Sequence, residues 1–228
     1  MTEPTDADGD TSGPLAPEAG PVRSRRRALT GVLGDLRAVD GALYAAVAAT
    51  YTPTLDRSLR RLSHAADHSK ISLGIAAALA ALGGARARSA ALVGVGAVAV
   101  TSAAANLLGK RLVRRPRPDR EAARVTVDRY VPMPTSASFP SGHTASAVAF
   151  ATAVGMVLPA AAAPLGALAT AVGYSRVHTG VHYPGDVVAG AVLGIAGAAT
   201  ALAVAAAAPL PGLRTVYPVA PPAPVSPV

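Results

Sequence analysis

The chain contains no cysteine and no tryptophan. That excludes a disulfide framework, a thiolate metal site and a cysteine nucleophile. Aromatic residues are only 4% of the sequence, which leaves few platforms for stacking bases. Charge is also scarce, at 15% of residues, and one sign dominates: 21 Lys and Arg stand against 13 Asp and Glu, a net charge of +8. A balance of this kind suits nucleic acid, anionic lipid or a phosphorylated ligand. Here the basic residues flank apolar runs and aromatics are few, so no nucleic-acid partner is expected.

What the chain does have is long uncharged stretches. Ser89–Gly109 and Val187–Leu213 carry no charge, and each reaches the ~20 residues a spanning helix needs. Thr144–Ser175 is uncharged too, but Pro159 and Pro164 interrupt it, so two short helices with a turn between them are expected. Ile71–Ala85 and Gly41–Leu55 fall short of a full span. The pattern predicts an all-α fold, an integral membrane bundle of five to six helices. A soluble alanine-rich bundle is the alternative.

Along the chain, the acidic, Pro- and Gly-containing start reads as a disordered tail and is the wrong flank for a secretory signal. The tail is drawn over residues 1–31, with the arginines of "RSRRRALTG" as a membrane-flanking cluster. In "LDRSLRRLSHAADHS", Leu55, Leu59 and Leu62 lie near helical spacing with basic residues between them. That fits an amphipathic helix at an interface, or equally a surface helix capping a bundle. Spanning segments follow near Ile71–Gly84 and Ser89–Leu108, then a polar loop, Lys110–Pro140. Further helices are expected near Gly142–Leu158, Ala161–Tyr174 and Asp186–Ala208, and residues 209–228 read as a Pro-rich disordered tail.

Three polar clusters punctuate these helices: "KRLVRRPRP" at Lys110–Pro118, "PSGH" at Pro140–His143, and "SRVHTGVHYPGD" at Ser175–Asp186. In an up-and-down bundle the segment count alone puts all three on one face. Lys110, Arg117 and Arg176 supply cations there, and an arginine fork matches phosphate oxygens in pairs. Ser141 can cap the helix entered at Gly142, leaving backbone N–H groups free for an anion, and Gly142 allows a close approach. Of two histidines, one can attack phosphorus and the other protonate the leaving oxygen. His182 and Asp186 are four apart, so the carboxylate can fix the imidazole tautomer. Taken singly, each cluster has a plainer explanation: a basic membrane flank, a helix start, a structural hydrogen bond. A metal site built from His143, His178, His182 and Asp186 is opposed by the three nearby cations.

Together and in this order, the clusters resemble the type 2 phosphatidic acid phosphatase family, the lipid phosphate phosphatases, within the superfamily that also holds the vanadium haloperoxidases. The family signature is K-x6-RP, PSGH and SR-x5-H-x3-D. Here it is Lys110 through Arg117-Pro118, Pro140-Ser141-Gly142-His143, and Ser175-Arg176 with His182 and Asp186.

The resemblance implies that residues 32–208 form a membrane-embedded phosphatase domain in a bacterial plasma membrane, with its active site at one membrane face. It implies His182 as nucleophile, Asp186 as its orienting partner and His143 as general acid. Lys110, Arg117, Ser141, Gly142 and Arg176 would bind the phosphoryl oxygens, with no metal or other cofactor. Phosphatidic acid, phosphatidylglycerol phosphate, polyprenyl diphosphates and polyprenyl-phosphosugars are the substrate candidates. The Arg120–Thr135 loop, stiffened by Pro132 and Pro134, and the groove between helices are the expected seat of specificity. His178 matches no motif position, and Arg111, Arg114 and Arg115 are expected as solvated charges. A catalytically silent phospholipid binder and a vanadate-dependent haloperoxidase-like enzyme are the alternative functions.

Overall fold

The computed structural model describes residues 21–207, with side chains from residue 30 onward except 108–110. Of the tails expected at 1–31 and 209–228, residues 1–20 and all of the second lie outside the described residues. Seven helices are described: α1 (Pro21–Ala49), α2 (Pro53–Ala65), α3 (Lys70–Leu82), α4 (Ala85–Ala104), α5 (Gly142–Val157), α6 (Pro159–His178) and α7 (Pro184–Ala207). A π turn, Ala105–Gly109, and a last helical turn, Lys110–Leu112, extend α4. No strand occurs among the described residues, and the helix count slightly exceeds the five to six expected from the sequence. The chain divides into two compact units, one ending at Val39 and one starting at Asp40. The first is the helical stretch from Pro21, which begins inside the segment expected as a tail. The second holds everything that follows.

Local chemistry explains the boundaries. Pro53, Pro159 and Pro184 each open a helix, where a missing N–H costs nothing and a fixed φ helps. Ser141 caps α5 with its side chain accepting from the Thr144 N–H. Pro164 does not break α6 as expected from the sequence. It is the sixth residue of the helix, where it removes one backbone hydrogen bond, and the helix still runs on through it to His178.

α5 is the central helix and packs on α4, α6 and α7. The core is mostly alanine and valine with one phenylalanine and one leucine, including Ala90, Ala97, Ala149, Phe150, Val154 and Leu165. Such small side chains let helices approach closely, as membrane bundles do. α7 shows the logic best. One face carries Gly190, Gly194, Gly197 and Ala201, all buried, while Val188, Val192, Ile195 and Val204 are 54–64% exposed on the other. Bulky apolar groups outside and glycine inside is the arrangement for a helix surrounded by lipid. α4 repeats it with Leu92, Val95 and Leu107 exposed. By length and composition, Ala85–Leu107 and Pro184–Ala207 can each cross a membrane.

The glycine face leaves no room for a side chain. A Cβ on Gly194 would sit 2.5 Å from the Ala145 carbonyl oxygen and 3.0 Å from the Ala149 nitrogen, both backbone atoms of α5. Gly194→Ala is therefore expected to destabilise by about 1–3 kcal/mol. Gly96 of α4 has open space at the same position, and Gly96→Ala should leave stability unchanged or raised. Thermal unfolding of both variants in detergent checks this, and equal midpoints would contradict it.

α2 turns its polar side, not its leucines, toward the bundle. Its leucines do not form the buried face: Leu55 is exposed, and Leu59 and Leu62 are half-buried. Asp56 and Ser63 are buried instead. Polar partners inside the bundle, described next, account for the orientation.

Candidate active site

The three sequence clusters meet at one end of the bundle, as the helix order requires. The loop after α6 brings His182, and the first turn of α7 brings Asp186, which is fully buried. Asp186 is held from several sides. Ser138 Oγ donates to its Oδ2 through a short hydrogen bond, and the Tyr183 N–H donates to the same oxygen at 3.0 Å. Arg115 Nη1 donates to Oδ1 at 3.0 Å. His182 Nδ1 lies 3.5 Å from Asp186 Oδ2 and 3.4 Å from Ser138 Oγ. The imidazole is thus held partly through the serine hydroxyl, because 3.5 Å is long for a direct N–H···O bond. With Nδ1 turned to these acceptors, Nε2 is the free nitrogen, and Arg117 Nη1 sits 3.3 Å from it. Burial pushes the His182 imidazole down to about 4 despite its hydrogen bond to Asp186, and the charges of Arg117 and Arg176 add to the shift. At neutral pH its Nε2 therefore carries a lone pair.

Arg117 is locked in place by backbone acceptors. It donates to Ser136 O at 2.9 Å, Val181 O at 2.8 Å and Ala137 O at 3.3 Å. Arg176, at the end of α6, is 2% exposed. Its Nη1 donates to Ser63 Oγ at 2.5 Å, while its buried Nε has no hydrogen-bond partner. Ser141 is buried, and its N–H donates to the Asp186 carbonyl at 2.9 Å, joining α5 to α7 by backbone alone. A Cβ on Gly142 would meet open space. The side chain of Lys110 lies outside the described residues.

His143 lies on the other side of the site, in the first turn of α5. Its Nε2 is 2.9 Å from Asp67 Oδ1. Asp67 belongs to a 3-10 turn, Asp67–Ser69, between α2 and α3, where His68 and Ser69 both have positive φ. A groove of about 480 Å³ opens beside these residues. His143, Arg176, Gly142, Asp67, Ser102, Asn106 and Val131–Pro134 are among the residues that line it. The Arg120–Thr135 loop thus borders the groove. Arg120 anchors it by donating to Val131 O at 2.9 Å and Gly180 O at 3.3 Å.

Several of these partners went unmarked in the sequence reading. Asp67, Ser63 and Ser138 were given no role. Arg115, expected as a solvated charge with Arg111 and Arg114, instead bridges Asp186 and Asp40, at 2.7 Å from the latter, with its guanidinium 3.9 Å over the Tyr183 ring. Arg111 and Arg114 are exposed. Of the four residues of the metal site weighed from the sequence, His182 and Asp186 pair, but His143 pairs with Asp67, and His178 Nε2 bonds Asp56 Oδ1 at 2.8 Å in a separate buried network with Arg129.

Comparison with known proteins fits this geometry. The family model described as "PAP2 superfamily" matches residues 90–208, over half the chain. The chain is 42% identical over 146 residues to decaprenylphosphoryl-5-phosphoribose phosphatase of Mycobacterium tuberculosis, covering 62% of this chain and 76% of that protein. It is similar in fold to the transmembrane PAP2 type phosphatidylglycerolphosphate phosphatase of Bacillus subtilis, with a TM-score of 0.60 at 22% identity, over 76% of this chain and 87% of that one. The Aquifex aeolicus LpxE structure gives a TM-score of 0.55 at 25% identity, over 71% of this chain and 93% of that one.

Proposed function

This chain belongs to the PAP2 superfamily, and from that premise we propose that it is a multi-pass phosphatase of the bacterial plasma membrane acting on a polyprenyl-linked phosphosugar. The observation that carries the reading is His182. It is a buried, neutral imidazole held at Nδ1 by Ser138 and Asp186, and it presents Nε2 to an arginine. That is the arrangement a nucleophile needs when the product is a phosphoryl group on nitrogen.

The steps follow from the geometry. A phosphomonoester enters the groove with its phosphoryl oxygens facing Arg117, the unpartnered Nε of Arg176, and the backbone at Ser141 and Gly142. The side chain of Lys110 is assigned to the same cradle by the motif. His182 Nε2 attacks phosphorus, and the bond to the ester oxygen breaks in line. The cations spread the charge on the equatorial oxygens. The imidazole gains charge as the P–N bond forms, and Asp186 with Ser138 offsets it. His143 gives a proton to the leaving oxygen. In the second half, water attacks the phosphohistidine, His143 takes a proton back from that water, and phosphate leaves.

The substrate class is supported by the named activity of the mycobacterial relative and by the groove. Its lining offers Ser102 and Asn106, polar groups suited to sugar hydroxyls, beside the phosphate cradle. Phosphate release from a panel of phosphatidic acid, phosphatidylglycerol phosphate, a polyprenyl diphosphate and a polyprenyl-phosphoryl phosphosugar tests this, with the detergent-solubilised protein in a metal chelator. The phosphosugar is expected to be cleaved fastest, with release unaffected by chelator. Preference for a diacylglycerol phosphate would move the substrate. Loss of release in chelator would overturn the metal-free mechanism.

A further inference from the structure

His182 is not the only histidine with a carboxylate. His143 has one too, and its contact is tighter: 2.9 Å to Asp67 against 3.5 Å for the His182–Asp186 pair. We propose that Asp67 is the positioning residue for His143, so that the site runs on two Asp–His pairs, one for the nucleophile and one for the leaving group. This rests on the reading of His143 as general acid.

The geometry sets the roles of the two ring nitrogens. Nε2 of His143 is committed to Asp67 Oδ1. Nδ1 is then the atom left to serve the substrate. Burial and the charge of Arg176 lower the His143 imidazole, so the proton it donates comes from the phosphomonoester monoanion, taken up at Nδ1. As Nδ1 passes it to the ester oxygen, the P–O bonding pair goes to that oxygen and the P–N bond to His182 forms. His143 becomes neutral and holds its remaining proton at Nε2, against the carboxylate. When water attacks phosphorus in the second half, Nδ1 takes the proton back and the P–N bond breaks.

Asp67 is built for this task. His143 from α5, Arg176 from α6 and His64 from α2 face it, with His64 Nδ1 3.6 Å from the second carboxylate oxygen. Burial alone pushes the carboxyl up, but the hydrogen bond and charge of His143, with Arg176 and His64, hold it below the usual carboxylate range. It therefore stays an anion at neutral pH. Two consecutive non-glycine residues in the left-handed region, His68 and Ser69, follow it directly. Backbone of that kind is costly and persists where surroundings fix it, commonly at functional sites. α2 supplies Ser63 to Arg176, and the turn that follows it supplies Asp67 to His143, so one short stretch of chain supports both a cation and the acid of the site.

A positioning role predicts an effect that depends on the leaving group, because a good leaving oxygen needs no proton. Two phosphates with the same apolar tail, one an alkyl ester and one a nitrophenyl ester, are compared on full-length wild type, Asp67→Asn and Asp67→Glu. Asp67→Asn is expected to slow the alkyl ester roughly 10- to 100-fold and the nitrophenyl ester less than about 3-fold. Asp67→Glu should restore part of the alkyl rate. Equal losses on both esters, or no loss on either, overturn the proposal while leaving the phosphatase reading intact. Wild type inactive on both esters overturns the phosphatase reading itself.

Discussion

Replacing His182 with alanine is expected to lower phosphate release by roughly 10,000-fold or more. The variant removes the atom that carries the phosphoryl group, and nothing nearby can substitute. Arg117 and Arg176 stay charged and cannot attack, and His143, with Nε2 on Asp67, is assigned to the leaving-oxygen side of phosphorus, where it cannot attack in line. The fold should tolerate the change. The backbone of residue 182 still donates to Arg176 O at 3.2 Å, and Asp186 keeps Arg115, Ser138 and the Tyr183 N–H. Substrate labelled at the phosphoryl group should leave an acid-labile label on quenched wild type and none on the variant. Activity within about 10-fold of wild type would rule out the phosphohistidine route.

The second large effect is expected at Arg117, and from a substitution that leaves the charge unchanged. Arg117→Lys keeps the positive charge but loses the fork that reaches Ser136, Ala137 and Val181 while standing 3.3 Å from His182 Nε2. One ammonium cannot span those positions. A loss of roughly 100- to 1,000-fold in kcat is expected, the usual scale for removing one well-aimed donor from a developing charge. Part of it should come through Ser138, which follows the Ser136–Ala137 backbone that Arg117 holds. Arg114→Lys is the control, since Arg114 is exposed. Steady-state kinetics with thermal midpoints separates the two effects. A kcat within about 3-fold of wild type would show that charge alone suffices.

These expectations rest on residues with unequal visibility in the sequence. The three clusters were legible because each is local: Lys110–Pro118, Pro140–His143 and Ser175–Asp186 each keep their own spacing, and helix order alone brings them to one face. Asp67 and Ser63 were not, because their partners lie far along the chain, 76 residues away for Asp67 and 113 for Ser63. Arg115 looked like one more basic flank in "KRLVRRPRP", and only the fold places Asp40 and Asp186 on either side of it. The leucines of α2 left the orientation of that helix open for a related reason. Helical spacing shows that a face exists but not which face is buried, and here Asp56 and Ser63 point inward to ionic partners. Ser138 stood two residues before "PSGH", close enough that proximity to the motif could have marked it. Pro164 suggests a break, but the loss of one backbone hydrogen bond does not end a helix packed along α5.

The backbone bond from Ser141 N–H to the Asp186 carbonyl separates what this architecture can change from what it cannot. Only proline at position 141 would remove it, so side-chain drift leaves the spacing between the two histidine-bearing segments alone. The groove walls at Ser102, Asn106 and Val131–Pro134 have no such backbone guarantee and are free to vary. Lineages built on this plan can therefore exchange one lipid headgroup for another by surface substitution, without re-inventing the phosphoryl chemistry beneath.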